Sequence, residues 1–204
     1  MTQKEEYFIT ILGLDDAGKT TLLERIKAIF NDSAMVPASR ITPTIGMNIG
    51  KVDHRRIRLN FWDVGGQAEL QTLWDKYIDE CHAIIFVIDA STSDRIAESL
   101  DAFRKVIAFE RVGHMPLLIL FNKCDGNETA NKTDDDSETD TDIKDATTTA
   151  ALDNLRQELA DTRDNESTDG EFAIMSVSAI EGANVERSIK WLAEAITRQY
   201  SAQA

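Results

Sequence analysis

Apolar positions along this chain follow two periods, continuous or alternating runs of strand length and stripes at helical spacing. Tyr7 to Leu12 is a β-branched and aromatic run closed by a glycine, and reads as a buried strand. Lys19 to Phe30 follows with Leu22, Leu23, Ile26, Ile29 and Phe30 on one helical stripe. Met47 to Val52 and Ile57 to Trp62 flank the turn-like Asp53-His54-Arg55-Arg56 and predict a hairpin. Ala83 to Asp89 and Leu117 to Asn122 are continuous apolar runs, the pattern of strands buried on both faces of a parallel sheet. Between them Arg95 to Glu110 has helical spacing at Ile96, Leu100, Phe103, Val106 and Ile107. Phe172 to Val177 predicts the last strand, and Glu186 to Tyr200 a closing helix with Ile189, Leu192 and Ile196 on one face.

Strand and helix alternate almost throughout. The pattern predicts an α/β fold, a mostly parallel six-stranded sheet with helices on both faces, in one domain over residues 1–204. Residues 126–145 interrupt it with Asp, Thr, Asn and Glu and no apolar period, and read as an acidic loop insertion. A helix is expected to resume near Ala146 with Leu152, Leu155 and Leu159 inward, before a second polar loop from Arg163 to Gly170.

Charge sharpens this picture. The net charge is −14, and the acidic loop alone carries a net six of those negatives, which argues against broad binding to nucleic acid. The longest apolar runs are strand-length, far short of the roughly 18 residues that span a bilayer. Cys81 and Cys124 lie far apart with no metal-ligand spacing, which suits a reducing cytosolic compartment.

In open α/β sheets ligands bind beyond the carboxyl ends of the strands, so the residues there carry the chemistry. After the first strand, Gly13-Leu14-Asp15-Asp16-Ala17-Gly18-Lys19-Thr20 fits G-x-x-x-x-G-K-[ST] and opens a helix. Such a loop offers unsatisfied N–H groups and the positive end of a helix dipole to a polyphosphate. The residues Asp15, Asp16, Ala17, Gly18, Lys19, Thr20 and Thr21 are therefore the expected phosphate contacts. Lys19 is expected at the β- and γ-phosphates and the Thr20 hydroxyl on Mg²⁺.

Asn122-Lys123-Cys124-Asp125 ends a later strand. A carboxylate such as Asp125 can accept from guanine N1–H and from its exocyclic amine, donors that adenine lacks in that arrangement. Ser178-Ala179, after the last strand, is placed to close over the base with backbone N–H groups. Asp63-Val64-Gly65-Gly66-Gln67 ends the hairpin: Asp63 can hold a water of the Mg²⁺ shell, Gly66 N–H can meet the γ-phosphate, and Gln67 can orient the attacking water. Thr44, in Pro43-Thr44-Ile45-Gly46, can complete the metal site when a γ-phosphate is present.

Together these segments resemble the Ras-like superfamily and, within it, the ADP-ribosylation factor (Arf) and Arf-like small GTPases. The resemblance is carried by GLDDAGKTTLL, PTIGMNIG, FWDVGGQAELQTLWDKY and FNKCD, in that order. NIGKV, the run from Trp62 to Asp89 and IAES look most like the Golgi-associated Arf-related subgroup. The resemblance implies a P-loop G-domain that binds GTP/GDP with Mg²⁺ and hydrolyses slowly, because Asp15 stands where faster GTPases often have glycine. It implies an activating protein, and exchange factors and effectors that engage Met47, Trp62 and Tyr77, although Arf has an aromatic residue where Met47 stands. It also implies a cytoplasmic protein that cycles to Golgi membranes in vesicle trafficking. Arf-like proteins attach through an N-terminal amphipathic helix; here Thr2 replaces the usual glycine, and about six residues precede the first strand. Two alternatives stay open, a guanine-nucleotide scaffold with negligible turnover and, less well matched to Asp125, an adenine-specific ATPase.

Overall fold

The computed structural model describes residues 4–124, 146–165 and 169–201. Its strands are β1 (Glu5–Leu12), β2 (Met47–His54), β3 (Ile57–Val64), β4 (Ala83–Asp89), β5 (Leu117–Asn122) and β6 (Phe172–Ser176). Its helices are α1 (Lys19–Phe30), α2 (Ala68–Gln71), α3 (Trp74–Glu80), α4 (Ser93–Ile107), α5 (Ala146–Asn165) and α6 (Val185–Ser201). The strands form the expected six-stranded sheet, in the order β2-β3-β1-β4-β5-β6. Among these strands only β2 runs antiparallel, paired with β3 from Met47↔Val64 to His54↔Ile57 across a two-residue turn at Arg55 and Arg56.

The central strands show why their sequences are uninterrupted apolar runs. In β4, Ala83, Ile85 and Val87 pack on one side with Leu22, Leu23 and Ile26 of α1 and Ile189 and Leu192 of α6. The intervening Ile84, Phe86 and Ile88 pack on the other side with Ile78 of α3, Phe103 of α4 and Leu155 and Leu159 of α5. A strand covered by helices on both faces has no solvent side, so alternation of side chains separates two cores rather than core from water.

Three local features differ from the expectation. The segment after Gln67 forms α2 and α3, of four and seven residues, too short to display a helical period. Helix α4 stops at Ile107 instead of Glu110, and a 3₁₀ turn over Glu110–His114 follows. From that turn Arg111 Nε donates to Ile78 O at 3.1 Å and Nη2 to Cys81 O at 3.0 Å, satisfying carbonyls at the end of α3. Helix α5 extends to Asn165, into the stretch expected to be the second loop. Leu155 and Leu159 are buried as expected, while the side chain of Leu152 and the acidic residues 126–145 lie outside the described residues.

The topology decides where chemistry can occur. The carboxyl ends of the parallel strands all open at one edge, and antiparallel β2 starts there, which brings residues 41–46 to the same place.

Candidate functional site

A cleft of about 210 Å³ opens at that edge. Of the residues singled out from sequence, Asp15, Asp16, Gly18, Lys19, Thr20, Thr21, Thr44, Gly66, Gln67 and Lys123 line it. Ala17 is fully buried beneath the loop. Gly18 caps α1 at φ 90° with no side-chain capping bond, so the N-terminus of the helix faces the cleft with its amides. A Cβ on Gly18 would collide with Asn122 Nδ2, and one on Gly66 with the backbone of Leu14 and Asp15. These two loops therefore meet at a distance only glycine permits.

Lys19 is 6% exposed, and its Nζ donates to Leu14 O at 2.6 Å. Burial pushes its pKa down to about 8, against the pull of Asp63, Asp15 and Asp16. An ammonium so poorly solvated gains more than a surface lysine from an arriving polyanion.

Beside it Thr20 Oγ1 donates to Asp63 Oδ2 at 2.7 Å and Thr44 Oγ1 to the same oxygen at 3.1 Å, the two hydroxyls lying 2.8 Å apart. Asp63 is fully buried, which raises its pKa, while its bonds to Thr20 and the nearby Lys19 charge oppose that shift. Its Oδ1 has no hydrogen-bond partner among the described residues. Two hydroxyls around a carboxylate with one unsatisfied buried oxygen form a hard, all-oxygen donor set, and that set fits Mg²⁺ rather than a soft metal. Gln71 Nε2 donates to Gly66 O at 3.0 Å and the buried Trp74 Nε1 to Gly65 O at 3.1 Å, so α2 and α3 anchor the loop from Asp63 to Gln67.

On the base side Asn122 serves as a staple. Its Nδ2 donates to Ala17 O at 2.8 Å and its Oδ1 accepts from Ala179 N at 3.0 Å, joining the phosphate loop to the loop after β6. Arg25 Nε adds a bond to Ala179 O at 3.0 Å. The N–H groups expected to close over a base are here used to build that loop: Ala179 N bonds Asn122, and Ser178 N donates to Ala183 O at 3.2 Å. Lys123, at φ 67°, extends to Asp89 Oδ2 at 2.8 Å. Burial opposes ionisation of Asp89, but Lys123 and Ser91 outweigh it and hold the carboxyl below its ordinary pKa. Asp125 lies outside the described residues.

The three residues expected at the partner-facing surface lie away from the cleft. Trp62 and Tyr77 meet edge to face at 6.0 Å, and Trp62 also packs on Phe8 at 5.0 Å, so Trp62 belongs partly to the core. Met47 is 39% exposed, near Ile49 at 50% and Ile45 at 91%.

The ADP-ribosylation factor family profile matches residues 1–196 of the chain. The chain belongs to the ADP-ribosylation factor family. It is 55% identical over 126 residues to ADP-ribosylation factor-related protein 1 of Homo sapiens, covering 61% of this chain and 63% of that protein. It is 35% identical over 192 residues to ADP-ribosylation factor-like protein 3 of Saccharomyces cerevisiae, covering 93% of this chain and 85% of that one. The match to the Arf-related proteins thus spans a little under two thirds of their length. Among solved structures, the Arl6 BBS3 small GTPase of Trypanosoma brucei, with bound nucleotide analogue GppNp, superposes with a TM-score of 0.64 at 25% identity, over 95% of this chain and 99% of that one. The architecture of this Arf-family chain is accordingly the P-loop G-domain fold.

Sequence reasoning did not find Asp89, Arg95, Gln71, Trp74 or Arg25. Each acts by bonding a backbone carbonyl or a charged neighbour of another motif, through contacts between segments that no short pattern contains. Three of them left a signal, Gln71 and Trp74 standing inside the Arf-like segment FWDVGGQAELQTLWDKY and Asp89 closing the run that begins at Trp62.

Proposed function

We propose that this chain is a GTP-binding switch that hydrolyses GTP slowly and relies on an activating protein to finish the reaction. The observation that carries this reading is the convergence of Lys19, Thr20, Thr44 and Asp63 at one helix N-terminus, with an Asp63 oxygen buried and unpartnered among the described residues. Guanine selectivity is supported by Asn122-Lys123-Cys124-Asp125 at the end of β5, a strand end beside the phosphate loop.

In this reading the loop amides and Lys19 bind the phosphates. Thr20 and Thr44 would supply oxygens to Mg²⁺ and Asp63 would hold it through a water; the ion neutralises phosphate charge when bound. Gln67, at the N-terminus of α2 and on the cleft wall, orients a water for attack on the γ-phosphorus, giving GDP and inorganic phosphate. Asp15 in the phosphate loop keeps the unassisted rate low. Because Thr44, three residues before β2, and Asp63, in β3, both reach the metal site, the ligand state is felt by Met47, Trp62 and Tyr77, where exchange factors and effectors bind. The whole chain acts as one G domain with residues 126–145 as an acidic insertion, and works between the cytoplasm and the Golgi membrane in vesicle trafficking, as its resemblance to the Arf-related subgroup suggests.

The test begins with the nucleotide released from purified protein, expected to be GDP or GTP; stoichiometric ATP would overturn the reading. Gln67→Leu is then expected to retain GTP and lose activator-stimulated turnover by roughly 10²–10⁴-fold, measured in single turnover. An unchanged stimulated rate in Gln67→Leu would remove Gln67 from its role.

A further inference from the structure

Arg95 stands in the first turn of α4, outside the lining of the cleft, yet its guanidinium is directed at the phosphate loop. Nη2 donates to Asp15 O at 2.5 Å, Nη1 pairs with Glu98 at 2.9 Å, and Nε lies 3.8 Å from Asp89 Oδ2. That same Asp89 oxygen receives Lys123 Nζ at 2.8 Å. Asp89 is 3% exposed, so the attraction of its carboxylate for both cations is poorly screened, with Lys123 hydrogen-bonded to it and Arg95 in ion-pair range. A chain of contacts thus runs from the phosphate loop through Arg95 and Asp89 to Lys123, separate from the Asn122 staple.

We infer that Arg95 is a positioning residue that sets the orientation of the phosphate loop and couples it, through Asp89 and Lys123, to the base-side loop. The proposal rests on the nucleotide reading of the cleft. Its physical basis is the planarity of the peptide bond. In a trans peptide the carbonyl of Asp15 and the N–H of Asp16 point in opposite directions. Arg95 holds the carbonyl on the side away from the cleft, which turns the Asp16 N–H toward it. Asp16 sits at φ 56°, in the left-handed region that aspartate tolerates better than most residues, and the bond to Asp15 O helps hold the chain there. The fork geometry of arginine suits this role, because one guanidinium reaches the Asp15 carbonyl and the carboxylates of Asp15, Asp89 and Glu98 at once, as an ammonium does not. Coupling follows from the shared Asp89: disturbing either Arg95 or Asp89 breaks the same connection.

The experiment measures the release rate of a fluorescent GDP from the full chain with Mg²⁺ present. Arg95→Ala is expected to release GDP about tenfold faster, the usual scale for losing a charge-assisted hydrogen bond. Arg95→Lys, which keeps the charge but not the fork, is expected to recover only part of that, to roughly threefold faster than the parent. Asp89→Asn is expected to accelerate release similarly. The double variant Arg95→Ala/Asp89→Asn should be within about twofold of the faster single, because the two act through one connection. Release from Arg95→Ala within twofold of the parent, or effects of the two substitutions that multiply, would overturn the assignment. So would full rescue by lysine, which would reduce the role to charge alone. If Asp89→Asn does not fold, the Arg95→Ala and Arg95→Lys rates decide. A parent that carries no guanine nucleotide would overturn the nucleotide reading itself, an outcome separate from a parent that holds GDP and is indifferent to Arg95.

Discussion

The phosphate side of this molecule and the outer face of its β2–β3 hairpin are built on opposite principles, although they share a strand. At the phosphate side nearly every group is fixed by a backbone bond or by contact too close for a side chain: Lys19 on Leu14 O, Asn122 between Ala17 and Ala179, and Gly66 against Leu14 and Asp15. On the hairpin face Met47 and Ile49, and just before it Ile45, expose apolar side chains to solvent. In β3, Asp63 is fully buried while its neighbour Trp62 reaches the outer face, so one residue step separates the two regimes. The first region depends on strict backbone placement and the second on replaceable side-chain chemistry. The proposed switch needs both, since recognition of phosphate has one geometric solution whereas partners differ.

Single substitutions put that contrast at risk to different degrees. The largest effect is expected from Lys19→Ala, which removes the buried cation at the phosphates: nucleotide affinity should fall by roughly 10²–10³-fold, on the scale of a lost charge-assisted contact in a desolvated site. Nucleotide retained through gel filtration reports it. Retention equal to the parent would mean that the loop amides alone hold the ligand.

Asn122→Ala is the next largest. It leaves the buried Ala17 O and Ala179 N without their partner, which should lower folding stability by about 2–4 kcal/mol in urea denaturation. A loss below about 0.5 kcal/mol would show that the two loops are held together without the staple.

Met47→Ala is expected to do least to the protein itself, with stability within about 0.5 kcal/mol and GDP release within twofold, while weakening capture of an exchange factor or effector by roughly tenfold. The same substitution altering GDP release more than about fivefold would mean that the outer face is not independent of the phosphate side, and the two regions would have to be treated as one.

The two regions also differ in how far their sequence revealed them. The sheet was legible because strands covered on both faces have to be uninterrupted apolar runs, as in Ala83 to Asp89 and Leu117 to Asn122. The phosphate-side residues Lys19, Thr20, Asp63 and Asn122 were legible because close backbone approach forces glycines and short polar side chains into fixed spacing. Helices α2 and α3 were not, since four and seven residues complete about one and two turns and show no period. Arg95 was not legible either. Its bond to Asp15 joins residues 80 apart in sequence, and on α4 it reads simply as one more solvent-facing cation. The Ser178-Ala179 pair does form a loop after β6, but its N–H groups are already committed to Ala183 and Asn122, a pairing set by contacts across the fold rather than by local sequence.

The crowding around Gly18 and Gly66 has a consequence for how such chains can diversify. At these positions even the smallest step in side-chain size, a single methyl group, collides with Asn122 or with the backbone of Leu14 and Asp15. Substitutions there offer drift no gradual path, whereas an exposed position such as Met47 can pass through many residues without disturbing the core. In the proposed switch, new partner preferences are therefore free to arise one mutation at a time on the hairpin, while the nucleotide it responds to stays the same.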